Sequence, residues 1–244
     1  MRRNRMPSHL KQLASEGIGT ALLLACVVGS GIMGERLSGG NVALALLANT
    51  LATGTTLSAL ILALGPISGA HFNPAVTLCD AWMGGLAWSK VPGYLIAQCL
   101  GAIVGVGAAN LMFELPVYFA STHARHGFGQ WFSEFVATFG LLAVIWGCSR
   151  ARASRVPFAV GAYITGAYWF TASTSFANPA VTLARSASDT FAGIRLADVP
   201  GFILAQLLGA AAATALFRWL APPTRRQAEA ILIQHPEPER SRHV

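Results

Sequence analysis

The stretch Asn73-Pro74-Ala75-Val76-Thr77-Leu78 reads NPAVTL, and the same six residues return as Asn178-Pro179-Ala180-Val181-Thr182-Leu183. The copies lie 178 − 73 = 105 residues apart. Asn followed by Pro is a helix-start signal. The Asn side chain caps the first free N–H groups, and Pro, with no N–H to lose, suits the first helical position. Small and polar residues precede each copy, at 67–72 and 173–177. Two short helices are therefore predicted, each entered from an irregular segment.

The surrounding chain is apolar. Of its 244 residues 54% are hydrophobic and 11% charged, with a mean hydropathy of +0.52. A soluble domain carries about 25% charge, so an integral membrane protein is predicted. The net charge of +7 does not point to nucleic acid, because the basic residues gather at the chain ends and in short loops, as topology signals do. Cys26, Cys79, Cys99 and Cys148 lack CxxC spacing and sit among apolar or small residues. They read as buried small hydrophobes, without a disulfide framework or metal site. No cofactor is indicated, and no nucleophile–base constellation suggests an enzyme.

Working outward from the motifs, six spans are predicted, at about 13–33, 42–64, 91–113, 131–148, 156–174 and 199–220. The first run is long for a signal peptide and no A-x-A site follows it. The helical parts after each Asn, about 73–85 and 178–190, are 13 residues long. At about 1.5 Å per residue they cover about 20 Å, short of a ~30 Å hydrocarbon core. They must re-enter rather than cross.

The second half copies the first. VPGYLIAQCLGA at 91–102 matches VPGFILAQLLGA at 199–210, an offset of 108. Two matched blocks in one order indicate an internal duplication, here about 8–113 and 126–221. Three spans per half make the repeats inverted, related by a pseudo-two-fold axis in the membrane plane. With the N-terminus inside, thirteen basic residues fall on the inner side and four (Arg36, Arg125, Arg185, Arg195) on the outer, which predicts cytoplasmic termini. The fold class is thus all-α membrane protein: six helices plus two re-entrant half-helices. Residues 1–221 form the channel domain and 222–244 a solvated polar tail, with a short interfacial helix near 225–233. Both half-helix N-termini point at the midplane. The irregular backbone before them is tolerated in a bilayer only against protein or a water-filled file, which argues for a pore.

These residues resemble the aquaporin, or major intrinsic protein, family over about 8–221: Glu16 in SEGIGT, ISGAHFNPAVTL at 67–78, Gln98 in AQCLGA, Glu134 in SEFVAT, the second NPA box and Gln206 in AQLLGA. The resemblance implies a passive channel for water and small neutral solutes, a homotetramer in membrane lipid, and residence in a bacterial inner membrane. It implies that Asn73, Pro74, Ala75, Asn178, Pro179 and Ala180 meet in the pore and exclude ions and protons. It also implies that carbonyls of Gly69, Ala70, His71, Ser175, Phe176 and Ala177 form an acceptor ladder, and that Glu16, Glu134, Gln98 and Gln206 brace the loops. Glu16 and Glu134 are read as the acids within the membrane. His71 contributes its carbonyl and a packing ring.

One position departs from the family pattern. Most relatives carry Arg directly after the second NPA, and this chain carries Val181. Counting places the other filter positions at Thr53, Ser175 and either Gly166 or Tyr168. Val in place of a permanent cation with five donors predicts a wider, less charged filter. A bacterial subgroup with this substitution is associated with arsenic resistance, so uncharged arsenite, As(OH)3, joins glycerol as a candidate solute. Arg185, one turn after Val181, qualifies this. It reads as an outer-loop charge paired with Asp189; alternatively it substitutes for the missing Arg and makes a strict water channel. A secondary transporter is the alternative of a different class, with Glu16 and Glu134 as its sole candidate coupling acids.

Overall fold

The computed structural model describes residues 7–220. The polar tail expected at 222–244, its interfacial helix and the tail boundary at 221 lie outside the described residues. Among the described residues eight α-helices follow one another: α1 His9–Leu37, α2 Val42–Ser68, α3 Pro74–Met83, α4 Val91–Met112, α5 Phe128–Arg152, α6 Val156–Phe170, α7 Pro179–Arg185 and α8 Val199–Leu220. No strand interrupts them among the described residues. Of these, α1, α2, α4, α5 and α8 are 22 to 29 residues long. At about 1.5 Å per residue each can cross a membrane. Helix α6 has 15 residues; the chain leaves it at Thr171 in extended backbone.

The boundaries differ from the sequence expectation where local chemistry intervenes. Helix α2 runs through Pro66 to Ser68 and stops at Gly69, whose φ of +91° only Gly adopts at little cost. The half-helices are shorter than predicted, 10 residues for α3 and 7 for α7. Gly84, at φ +85°, ends α3. Ser186 ends α7, and the chain then turns into the loop at 186–195 instead of continuing helically.

The same packing scheme occurs twice: α1 lies on α2 and α4, and α5 lies on α6 and α8. The pairs α1–α4 and α5–α8 come together through small residues. A methyl group on Gly101 or Gly105 would meet the Gly17 or Ala21 carbonyl at 2.2 Å, and one on Gly209 the Phe135 carbonyl at 2.3 Å. Backbones that close leave no room for a side chain. Helices α2 and α6 join the halves through Gly54 and Gly161, where a methyl on either would come within 2.7 Å of the other's carbonyl. The short helices α3 and α7 touch each other inside this frame.

Candidate functional site

Each motif starts its helix as its local chemistry dictates. Asn73 Oδ1 accepts the Ala75 N–H at 2.9 Å; Asn178 Oδ1 accepts those of Ala180 at 3.0 Å and Val181 at 3.3 Å. The amide NH2 groups reach across the molecule. Asn73 Nδ2 donates to the Ala177 carbonyl at 2.8 Å, and Asn178 Nδ2 to the Phe72 carbonyl at 2.7 Å. Each NH2 has two hydrogens, so one joins the two halves and the other remains for the cavity that both side chains line.

The segments before each Asn are irregular and strained. Ala70, Phe72, Thr174, Ser175 and Ala177 hold φ between +48° and +61°, a region costly for residues with a Cβ. Buried carboxylates hold them there. Glu16 accepts the His71 N–H at 3.0 Å and the Phe72 N–H at 2.8 Å. It also accepts from the Ser68 hydroxyl at 2.6 Å and Gln98 Nε2 at 2.8 Å. Glu134 accepts the Phe176 and Ala177 N–H groups, both at 2.8 Å, and Gln206 Nε2 at 2.6 Å. Gln98 and Gln206 also donate to Thr77 and Thr182, each at 2.8 Å. In a trans peptide the carbonyl points opposite to the following N–H. Pinning His71 and Phe72 N–H to Glu16 therefore turns the Ala70 and His71 carbonyls away from it. The same holds for Ser175 and Phe176 relative to Glu134. Of the six carbonyls expected to form a ladder, that of Ala177 is engaged by Asn73.

Gly69, Ala70, His71, Phe176 and Ala177 line one cavity of about 730 Å³, counted with its open mouths. Aliphatic side chains such as Leu23, Leu57 and Ile164 also line it. Thr53, Tyr168, Ser175, Val181 and Arg185 line it as well. Gly166 does not, so Tyr168 is the α6 contribution, and its hydroxyl lies 3.4 Å from Thr53 Oγ1. Ser175 Oγ and Arg185 Nη1 have no protein partner among the described residues.

Arg185 corrects the sequence expectation. It is not an outer charge paired with Asp189. Its side chain is fully buried, its Nε donates to the Ala192 carbonyl, and its guanidinium carbon stands 3.4 Å from the centre of the Phe176 ring. Asp189 instead accepts the Thr122 N–H at 2.8 Å, and that bond holds its carboxyl below the usual range. The cavity thus keeps a guanidinium although Val181 replaces the usual one.

Two further groups escaped the sequence reading. Asp80, on α3, is a third buried acid inside the helical frame, with Oδ2 3.6 Å from His71 Nε2. The His71 ring makes that approach while its Nδ1 lies 3.0 Å from Thr77 Oγ1. Its place four residues before Gly84 on a short apolar helix was the signal available. Arg125, expected among the basic residues of the outer side, is buried and bonded to three backbone carbonyls. Burial lowers it to about 10, so it stays a cation at neutral pH. Nothing near it in sequence announced those partners.

Comparison with known proteins agrees in kind. The family described as Major intrinsic protein matches residues 3–165 and 151–241. Over 215 residues the chain is 55% identical to aquaglyceroporin AqpS of Rhizobium meliloti (strain 1021), covering 88% of this chain and 92% of that one. It is 31% identical over 228 residues to Aquaporin Z of Bradyrhizobium diazoefficiens, covering 86% and 93%. The X-ray structure of the aquaglyceroporin from Plasmodium falciparum aligns with a TM-score of 0.70 at 19% identity, over 88% of this chain and 98% of that one; this likeness concerns the fold alone.

Proposed function

The chain belongs to the major intrinsic protein family, and from that premise we propose how its lumen selects solutes. It is an integral membrane channel, not an enzyme, and it passes water and small solutes such as glycerol. The secondary-transporter alternative falls with the family assignment.

Selection takes place at two levels. At the midplane, Asn73 and Asn178 each keep one amide hydrogen for a passing oxygen, and the first-turn N–H groups of α3 and α7 oppose cations and protons. The carbonyls of Ala70, His71, Ser175 and Phe176 accept from the solute while the aliphatic wall offers nothing to bind. At the α7 end, Thr53, Tyr168, Ser175, Val181 and Arg185 form the filter. The observation that carries this reading is Arg185 at the lumen beside Val181. The fixed charge is kept but set one turn further along α7, which leaves the Val181 position open to a solute wider than water. Glycerol fits that description, and so does arsenite as uncharged As(OH)3. The 55% identical relative is named an aquaglyceroporin, which supports it.

The inverted repeat and the distribution of basic residues support cytoplasmic termini in a bacterial inner membrane. Family membership supports a homotetramer with one lumen per subunit. Swelling and uptake assays in reconstituted vesicles test the filter. Wild type passes water, glycerol and arsenite. Val181→Arg, adding a second guanidinium at the lumen, lowers glycerol and arsenite flux by roughly tenfold relative to water, about 1.4 kcal/mol of barrier. Glycerol flux no greater than in empty vesicles, with water flux intact, would instead establish the strict water channel that Arg185 alone could produce.

A further inference from the structure

The segment Phe191-Ala192-Gly193 lies between two arginines from distant parts of the chain. Arg125 Nε donates to the Gly193 carbonyl at 2.8 Å and its Nη2 to the Phe191 carbonyl at 3.4 Å. The carbonyl between them, that of Ala192, accepts from Arg185 Nε. Neighbouring carbonyls along one strip of backbone thus go to different guanidiniums. Both guanidiniums also lie over the Phe176 ring, their carbons 5.1 Å and 3.4 Å from its centre. Only Arg185 lines the lumen.

Arg125 reaches a further point of the filter. Its Nη1 donates to the Ser173 carbonyl at 3.2 Å, and Ser173 Oγ accepts the N–H of lumen-lining Ser175 at 3.2 Å. Its own backbone N–H is fixed by Asp198 Oδ2 at 2.8 Å. A planar fork with donors in set directions suits this task. Lys, a single point of charge, cannot bond three carbonyls in fixed directions at once. The two cations repel each other, and the carbonyls they bond offset that repulsion.

We propose that Arg125 is a positioning residue for solute selection: by fixing the Phe191 and Gly193 carbonyls it presents the Ala192 carbonyl to Arg185, and so sets how far the Arg185 guanidinium stands into the lumen. This rests on the reading of Arg185 as part of the filter. It gives the loop at 113–127, from the other side of α5, a part in choosing the solute.

The test is the ratio of glycerol to water permeability in reconstituted vesicles for Arg125→Gln, Arg125→Lys and Arg185→Ala, singly and combined. Arg185→Ala raises the ratio. Arg125→Gln moves it the same way by about threefold, near the lower end of coupling between contacting side chains, and Arg125→Lys by less. In the Arg185→Ala background Arg125→Gln adds nothing, an outcome that general loosening of the fold would not give. Should Arg125→Gln fail to fold, shown by loss of water flux, Arg125→Lys with and without Arg185→Ala decides. A wild-type ratio in both Arg125 variants, or a shift of equal size with and without Arg185, overturns the proposal alone. An unchanged ratio in Arg185→Ala overturns the filter reading and this inference with it.

Discussion

The two half-loops share a scaffold and differ in charge. In both, a buried Glu takes consecutive N–H groups, a Gln bridges that Glu to a Thr, and the Thr hydroxyl donates to the carbonyl of the motif Asn at 3.0 Å or 2.8 Å. Ser68 and Ser173, again 105 apart, each accept the N–H two residues on. Seven residues after each Asn (80 − 73 and 185 − 178) the likeness ends, with Asp80 in one half and Arg185 in the other. Two residues before each Asn stands the partner of that charge, His71 beside Asp80 and Phe176 beneath Arg185. Duplication preserved what holds the strained backbone. The two charged positions differ, and so do the side chains that face them: the cavity is lined by a guanidinium over Phe176 on one half and by an imidazole backed by an acid on the other.

The largest effect should come from the shared scaffold. Glu134→Ala strands three donors and Glu16→Ala four. At about 1–3 kcal/mol per unsatisfied buried group, each variant should lose on the order of 3 kcal/mol or more, read as an early thermal transition in detergent. Similar losses sharpen the comparison; a half that tolerates its Glu→Ala change breaks it. Next comes the diverged position. Arg185→Ala should raise the glycerol-to-water ratio by roughly fivefold, about 1 kcal/mol of barrier, while its counterpart Asp80→Asn should leave that ratio within about twofold. A ratio that responds equally to both would show that the two ends select alike. Asp80→Asn should also change stability little, by about 1 kcal/mol or less, since Asp80 Oδ1 has no hydrogen-bond partner among the described residues and Oδ2 meets only His71 at 3.6 Å, so an uncharged amide there relieves desolvation while giving up one long contact.

The smallest effect concerns the loop present only after α7. The Thr122 N–H holds Asp189 below the usual carboxylate range. A depressed folded value contributes stability above the ordinary carboxylate pKa and loses it as the pH falls through the lowered value. Thermal midpoints of wild type and Asp189→Asn should therefore differ slightly at neutral pH and converge in strong acid. Persistence of the gap there would mean that the Thr122 bond does not depend on the charge.

Much of this architecture was legible because it depends on near neighbours. Hydropathy marked the spans, and Asn-Pro marked both half-helix starts, since capping acts within three residues. Their ends were not legible. Gly84 stops α3 through its left-handed backbone, whereas after α7 the chain turns so that its carbonyls at 191–193 meet Arg185 and the distant Arg125. Glu16 and Glu134 stood out as acids in apolar helices. Asp80 did not, because a single carboxylate on a short helix carries no local sign of the His71 ring it meets nine residues earlier.

By itself the sequence determined the membrane class, the inverted duplication, the paired NPA starts and the absence of Arg after the second box. Each is a matter of composition, period or adjacent residues. Only the tertiary structure decided that Arg185 lines the central cavity rather than pairing with Asp189, that Tyr168 and not Gly166 joins Thr53, that each Asn amide crosses to the opposite half, and that Arg125 grips the loop behind Arg185. Apart from the Arg185–Ala192 bond at 7 residues, those outcomes turn on hydrogen bonds between groups from Arg125–Ser173 at 48 residues apart to Tyr168–Thr53 at 115, and on which buried donor meets which carbonyl. Local pattern carries no record of such pairings, because they are settled by how the packed helices bring the loops together.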